Sequence, residues 1–143
     1  MSEENEEAVQ RMIEAFNTGW ERGDPGALFD SGTVADDLEF VVFPGLPGHP
    51  PSYRGRDGFT AFMRIWTEDF EGWSIDPERL IEAPDNRVVA LTLQRATGKG
   101  SGVPVELHFG QVFEIEDGRV IRIRNFPDLE EALEAAGLSE SDA

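Results

Sequence analysis

Between Val103 and Phe126 apolar and polar residues alternate through two runs separated by a turn (VPVELHFGQVFEIEDGRVIRIRNF). Val105, Leu107, Phe109, Phe113 and Ile115 fall on one face at a spacing of two, with Glu106, His108, Glu114 and Glu116 on the other. Ile121 and Ile123 alternate in the same way against Arg122 and Arg124. Asp117-Gly118 between the runs predicts a tight hairpin, because glycine accepts the positive φ such a turn needs. Two amides interrupt the apolar face, Gln111 in the first run and Asn125 in the second. An amide on a buried sheet face must find hydrogen-bond partners. A wet pocket supplies them; so do the other amide, the backbone or a buried water.

The remaining pattern places helices first. Val9, Met12, Ile13, Phe16 and Trp20 form one helical stripe, predicting a helix from Glu3 to Arg22 that Gly23 ends. Asp24-Pro25 opens a short second helix through Leu28-Phe29. Asp37 to Pro44 is a strand, and Gly45 to Gly55 is a Gly/Pro-rich loop. Phe59, Phe62, Met63, Trp66 and Phe70 share a face of a helix from Arg56 to Phe70. A strand follows in two pieces, Trp73–Ile75 and Leu80–Ile81, with Pro77 marking a bulge or an edge. Arg87 to Thr97 is another strand, and Asp128 caps a last helix, Leu129 to Ala136, which Gly137 terminates. Helix, helix, strand, helix, four strands and a short helix predict an α+β domain, its antiparallel meander covered on one face by helices. Residues 1–143 contain no internal repeat or linker, so one domain is expected.

Composition narrows the function classes. A formal net charge of −17, with Lys99 the only lysine, excludes a basic face for nucleic acid or an anionic membrane. The absence of cysteine removes thiolate chemistry and disulfides. No apolar run reaches the ~20 residues of a membrane span, and the acidic MSEENEEAV start is unlike a secretory leader. A cytoplasmic protein is expected. His49 and His108 have no metal-ligand spacing, and no nucleophile elbow, Walker loop or dinucleotide fingerprint occurs. Neither metal nor cofactor is expected.

Three pieces, VQRMIEAFNTGWERGD, YRGRDGFTAFM and VFEIEDGRVIRIRNFPDLEEALEAAGL, span nearly the whole chain. With their order of elements they resemble the SnoaL-like, polyketide cyclase-related branch of the nuclear-transport-factor-2-like superfamily. The resemblance implies a curved antiparallel sheet wrapped by N-terminal helices into a cone, an apolar cavity inside, and a homodimer through the open sheet face. It does not fix the chemistry, because that fold hosts isomerases, cyclases, hydrolases and binders. Ketosteroid isomerases in the superfamily use a tyrosine, an aspartate base and a protonated aspartic acid, which map here to Met12, to the vicinity of Phe43, and to Gln111 or Phe109. Limonene-epoxide-hydrolase-like relatives use Asp-Arg-Asp. Arg95 matches the arginine, but Thr97 and Asn125 stand where carboxylates are wanted. An amide takes no proton from water at neutral pH, so neither mechanism transfers as written.

The candidate ligand-binding residues are Phe16, Trp20, Phe40, Phe62, Trp66, Arg95, Phe109, Gln111, Phe113 and Asn125. Gln111, Asn125 and Tyr53 are candidates for polarising or protonating a ligand oxygen. Arg95, in line with Leu91 and Leu93, is expected to reach inward to a ligand carboxylate. His108, Arg122 and Arg124 are assigned to the opposite face, paired with Glu106 and Glu114 or meeting a second copy. The expected function is binding, or proton transfer of isomerase or cyclase type, on a small apolar, carbonyl-bearing ligand. The alternative is a non-catalytic dimeric module whose cone is filled by its own aromatics, plugged by Trp66, Phe62 and Phe113. A void of roughly 300 Å3 or more would favour the first.

Overall fold

The computed structural model describes residues 2–42, 52–139 and 141. Phe43, His49 and the Trp66 side chain lie outside what is described. The elements are α1 (Ser2–Glu21), a 3-10 turn (Pro25–Asp30), β1 (Val34–Val41), β2 (Ser52–Arg54), α2 (Gly55–Asp69), β3 (Phe70–Ala83), β4 (Arg87–Gly98), β5 (Pro104–Glu116), β6 (Arg119–Phe126) and α3 (Leu129–Ala135). Their order is the expected one, with β2 added at the end of the Gly/Pro-rich segment and β3 running as one strand through Pro77. β3 can carry that proline because it is an edge strand, with a register shift between Pro77 and Arg79.

The six strands form one curved sheet in the order β2-β1-β6-β5-β4-β3. β3 to β6 are the expected antiparallel meander. β1 departs from it by running parallel to β6. The preference of consecutive strands for antiparallel pairing does not reach β1, because α2 and four strands separate it from β6 in sequence. Asp117 and Gly118 both take positive φ (53° and 76°), the backbone a two-residue hairpin needs.

The concave face and the helices enclose the main core. Val9, Met12, Ile13 and Phe16 of α1 and Phe59, Phe62 and Met63 of α2 pack over Val88, Ala90, Phe113, Ile115 and Ile123. One face assignment in β6 needs correction. Glu114 pairs with Arg122 but Ile115 with Val120, so Ile121 is the extra residue of a bulge. Val120 therefore turns into the core and Ile121 faces outward, where strict alternation had placed Ile121 inside.

Two contacts fix the ends of the sheet. Asn17 of α1 imitates a neighbouring strand at the open edge of β3: its Nδ2 donates to the Ile75 carbonyl and its Oδ1 accepts from the Ile75 N–H, both at 2.9 Å. This holds α1 across the sheet edge and satisfies backbone groups no strand could reach. On the outer face α3 covers Val89 and Val112 with Ala132, Leu133 and Ala136. Asp128 caps α3 by accepting from the Glu131 N–H at 2.9 Å. Its carbonyl rests on Gly110 so closely that a Cβ there would lie 2.1 Å from the oxygen.

Gly110→Ala is therefore expected to lift α3 from the sheet and cost ~2 kcal/mol or more. Thermal unfolding would show the loss, and hydrogen exchange would localise it to Ala132–Ala136. Unchanged stability and protection would contradict this packing.

Candidate functional site

Between the helices and the concave face lies a cavity of about 70 Å3. Its walls are apolar: Met12, Ile13 and Phe16 from α1, Phe40 and Val42 at the end of β1, Phe59, Phe62 and Met63 from α2, and Trp73, Ile75, Phe109, Phe113 and Ile123 from the sheet. Three polar side chains complete the lining, Gln94, Gln111 and Asn125. No described lining residue is ionisable.

Strand register brings the polar groups together. Gln111 lies opposite Asn125 on β6 and opposite Ala90 on β4. Because side chains alternate, Thr92 and Gln94 share the concave face with Ala90. Thr92 (0% exposed), Gln111 (4%) and Gln94 (7%) are closely enclosed, and Asn125 is half-buried. Each has found partners. Trp73 Nε1–H donates to Gln94 Oε1 (2.9 Å), Gln94 Nε2 to Thr92 Oγ1 (3.4 Å), and Thr92 Oγ1 to Gln111 Oε1 (3.1 Å). Gln111 Nε2 then donates to Asn125 Oδ1 (2.7 Å), and Asn125 Nδ2 to the Val41 carbonyl (2.8 Å).

The two ends set the direction of this relay. An indole N–H can only donate and a backbone carbonyl can only accept. Gln94 must present its oxygen to Trp73, which turns its NH2 to Thr92. Asn125 must present its NH2 to Val41, which turns its oxygen to Gln111. Reversing one amide would set donor against donor or acceptor against acceptor in a buried space. Each amide still has a second N–H that no described group takes up.

The expected site residues divide accordingly. Phe16, Phe40, Phe62, Phe109, Gln111, Phe113 and Asn125 converge on the cavity. Trp20 does not line it; one helical turn beyond Phe16, it stacks on that ring at 6.1 Å, beside the cavity. Tyr53, in β2, is outside the lining and packs against Phe62 at 5.1 Å between centroids, where burial raises its phenol pKa. Arg95 does not reach inward. It does share a face with Leu91 and Leu93, but that face is the outer one, since Ala90, Thr92 and Gln94 hold the concave side. Its side chain is 51% exposed and bonds Glu106 (2.8 Å), with Asp76 at 3.8 Å. The hydrogen bond that its guanidinium donates to Glu106 raises its pKa further. His108 is also on the outer face, 2.8 Å from Glu78. Arg122 meets Glu39 (3.0 Å) and Glu114 (3.2 Å), and Arg124 lies 3.6 Å from Glu114, with burial lowering its pKa. Gln94, Thr92 and the indole of Trp73 were missed as polar site residues. Pairing β4 against β5 from Gln111 would have revealed them, because it puts the even-numbered residues of β4 inside. Among the described residues no group of three or more His, Asp or Glu could hold a metal ion. No helix among them is long and apolar enough to cross a membrane.

Residues 9–123 match the SnoaL-like domain family. The chain belongs to that family. Comparison with curated proteins finds no match. Many solved structures share the fold of this SnoaL-like protein. One is an NTF2-like protein of unknown function from Burkholderia pseudomallei K96243, 24% identical, with 93% of this chain covering 97% of that one at a TM-score of 0.68. TerC, co-crystallised with polyporic acid, is 23% identical over 93% of this chain and 97% of its own, at 0.69. A protein assigned as a SnoaL-like polyketide cyclase, from Jannaschia sp. CCS1, is 21% identical over 93% and 90%, at 0.68. At these identities the likeness is one of fold.

The relay yields a test at Asn125. In Asn125→Asp the new side chain can donate to Val41 only while protonated, so its pKa in the folded state should lie above the usual ~3.9. A folded pKa raised above the unfolded one contributes stability that is full below pH ~3.9 and lost as pH rises through the folded value. The difference in melting temperature from wild type should therefore widen between pH 4 and pH 8. A constant difference would contradict the assigned donor.

Proposed function

We propose that this SnoaL-like protein binds a small, mostly apolar, carbonyl-bearing molecule inside the cone. The observation that carries this reading is an apolar cavity into which amides are deliberately set, each with an N–H to offer. Left without an acceptor, a buried donor costs about 1–3 kcal/mol, so the relay calls for an oxygen beside it. That TerC was co-crystallised with polyporic acid supports a small-molecule role for the fold. Binding fits the site better than isomerase- or cyclase-type proton transfer. General acid–base catalysis needs a group that titrates near the working pH, and none of the described lining residues does.

The cavity's size limits the ligand. At about 70 Å3 it falls short of the roughly 300 Å3 taken as the threshold for a ligand-sized void. Phe62 and Phe113 stand in its wall. The remaining space is several times the ~10–15 Å3 that one water occupies, enough for a single small ring. The same narrowness supports the second reading, a non-catalytic module packed with its own aromatics. A homodimer through the outer sheet face belongs to either reading. α3 covers only one end of that face, leaving Leu91, Arg95, Glu106 and His108 beyond it, and sedimentation equilibrium would register the pairing.

Mass spectrometry of small molecules extracted from the purified protein should detect one uncharged compound. Gln111→Leu and Asn125→Leu should fold, at a cost of about 1–3 kcal/mol for the donors left unmet, and lose that compound. If both variants carry it at wild-type occupancy, the amides are structural and the ligand reading fails.

A further inference from the structure

We propose that the pinned relay makes the cavity selective for an uncharged acceptor oxygen, with Gln94 as a specificity-determining residue and Trp73 as the positioning residue that sets its direction. This rests on the small-molecule reading above and adds to it a selection rule and two residues.

The rule follows from three features. First, the ring of described lining residues carries no charge. A carboxylate or ammonium entering it would give up its hydration for apolar walls and neutral dipoles, with no counter-ion, which is the costly form of burial. The chain's formal charge of −17 adds a field that repels anions before they arrive. Second, the relay offers more than it needs. Gln94, Gln111 and Asn125 each give one N–H to the next member and keep one. Their oxygens already accept from Trp73, Thr92 and Gln111 in turn. An oxygen with one bond made tolerates an empty second lone pair, whereas an N–H with no acceptor is costly. The demand is therefore for acceptors.

Third, the direction cannot adapt. An isolated glutamine can turn its amide over and welcome a donor as readily as an acceptor. Gln94 cannot, because Trp73 Nε1–H holds its oxygen at 2.9 Å and Thr92 stands 3.4 Å from its nitrogen. Turning it over would bring an NH2 against the indole N–H. Trp73 thus acts on the ligand through Gln94, even though its own ring also forms part of the wall. A ketone oxygen meets the requirement: it accepts, it is neutral, and it brings no proton of its own to place.

The test uses matched ring compounds on the intact protein: cyclopentanone, cyclopentane and cyclopentanecarboxylate. Binding is followed by the 15N–1H resonances of the tryptophan indoles and of the Gln and Asn amides. Cyclopentanone should bind about tenfold more tightly than cyclopentane, the value of one net hydrogen bond, and should shift the Gln94 amide. Cyclopentanecarboxylate should not bind at pH 7. Gln94→Met, which keeps the length but offers no donor, should bring the ketone-to-hydrocarbon ratio close to one. Trp73→Phe removes the pin along with part of the wall while keeping all three amides in the chain, so that ratio should fall there too. A purely structural role for Trp73 would change both affinities together and spare the ratio. The proposal is overturned if the carboxylate binds as well as the ketone, or if both variants keep the wild-type ratio. Binding of ketone and hydrocarbon with equal affinity by the wild type would overturn the relay's role and leave the cavity a binding site. Failure of all three to bind would overturn the small-molecule reading and the selection rule with it.

Discussion

A hydrogen bond from an indole to a glutamine decides how the inside of this protein behaves. Trp73 can only donate and the Val41 carbonyl can only accept, so Gln94, Thr92, Gln111 and Asn125 between them fall into one order. A buried polar network is an asset when every member is satisfied and a liability when one is not. Here each member bonds its neighbours, and the amides retain hydrogens beside a small void. The arrangement combines the two roles that the sequence left open for Gln111 and Asn125: they hold each other and the backbone, and they line a cavity.

The rest of the fold serves to keep that row of side chains dry and in register. β5 carries Gln111 between β4 and β6, where a slip of one residue in β5 would turn Gln111 to the outer face and break the relay in its middle. The bulge at Ile121 shifts the alternation of β6 so that Val120 turns into the core on the same face as Ile123 and Asn125. Asn17 ties α1 to the free edge of β3 at Ile75, itself a wall of the cavity. On the opposite side, Arg122 and Arg124 with Glu39 and Glu114 keep the charges on the outer face. Charge outside and neutral amides inside is the division of labour that a binding site for an uncharged molecule requires.

Much of this was legible in the amino-acid sequence, because alternation in β5 and the stripes of α1 and α2 are local signals. Phe16, Phe62, Phe109 and Phe113 were placed from them, and Asp117-Gly118 announced the hairpin. What could not be seen depends on partners distant in sequence. β4 is apolar on both faces, with Val88, Val89, Ala90 and Leu93 all buried, so its own pattern does not say which side faces inward. Arg95 was turned inward for that reason and Gln94 passed over. The parallel pairing of β1 with β6 joins segments nearly eighty residues apart, and the bulge in β6 breaks the strict period from which Ile121 was assigned. Trp20 extends the α1 stripe beyond the point where the cavity ends, which helical spacing alone cannot show.

Neutron diffraction from a perdeuterated crystal tests the central claim directly, because deuterium positions distinguish amide nitrogen from oxygen. The account predicts deuterons running one way, from Trp73 to Gln94, Thr92, Gln111, Asn125 and the Val41 carbonyl, with the second deuteron of each amide facing an oxygen in the cavity. An amide turned against that order, or a cone closed by aromatic rings with nothing beside the amides, would contradict it.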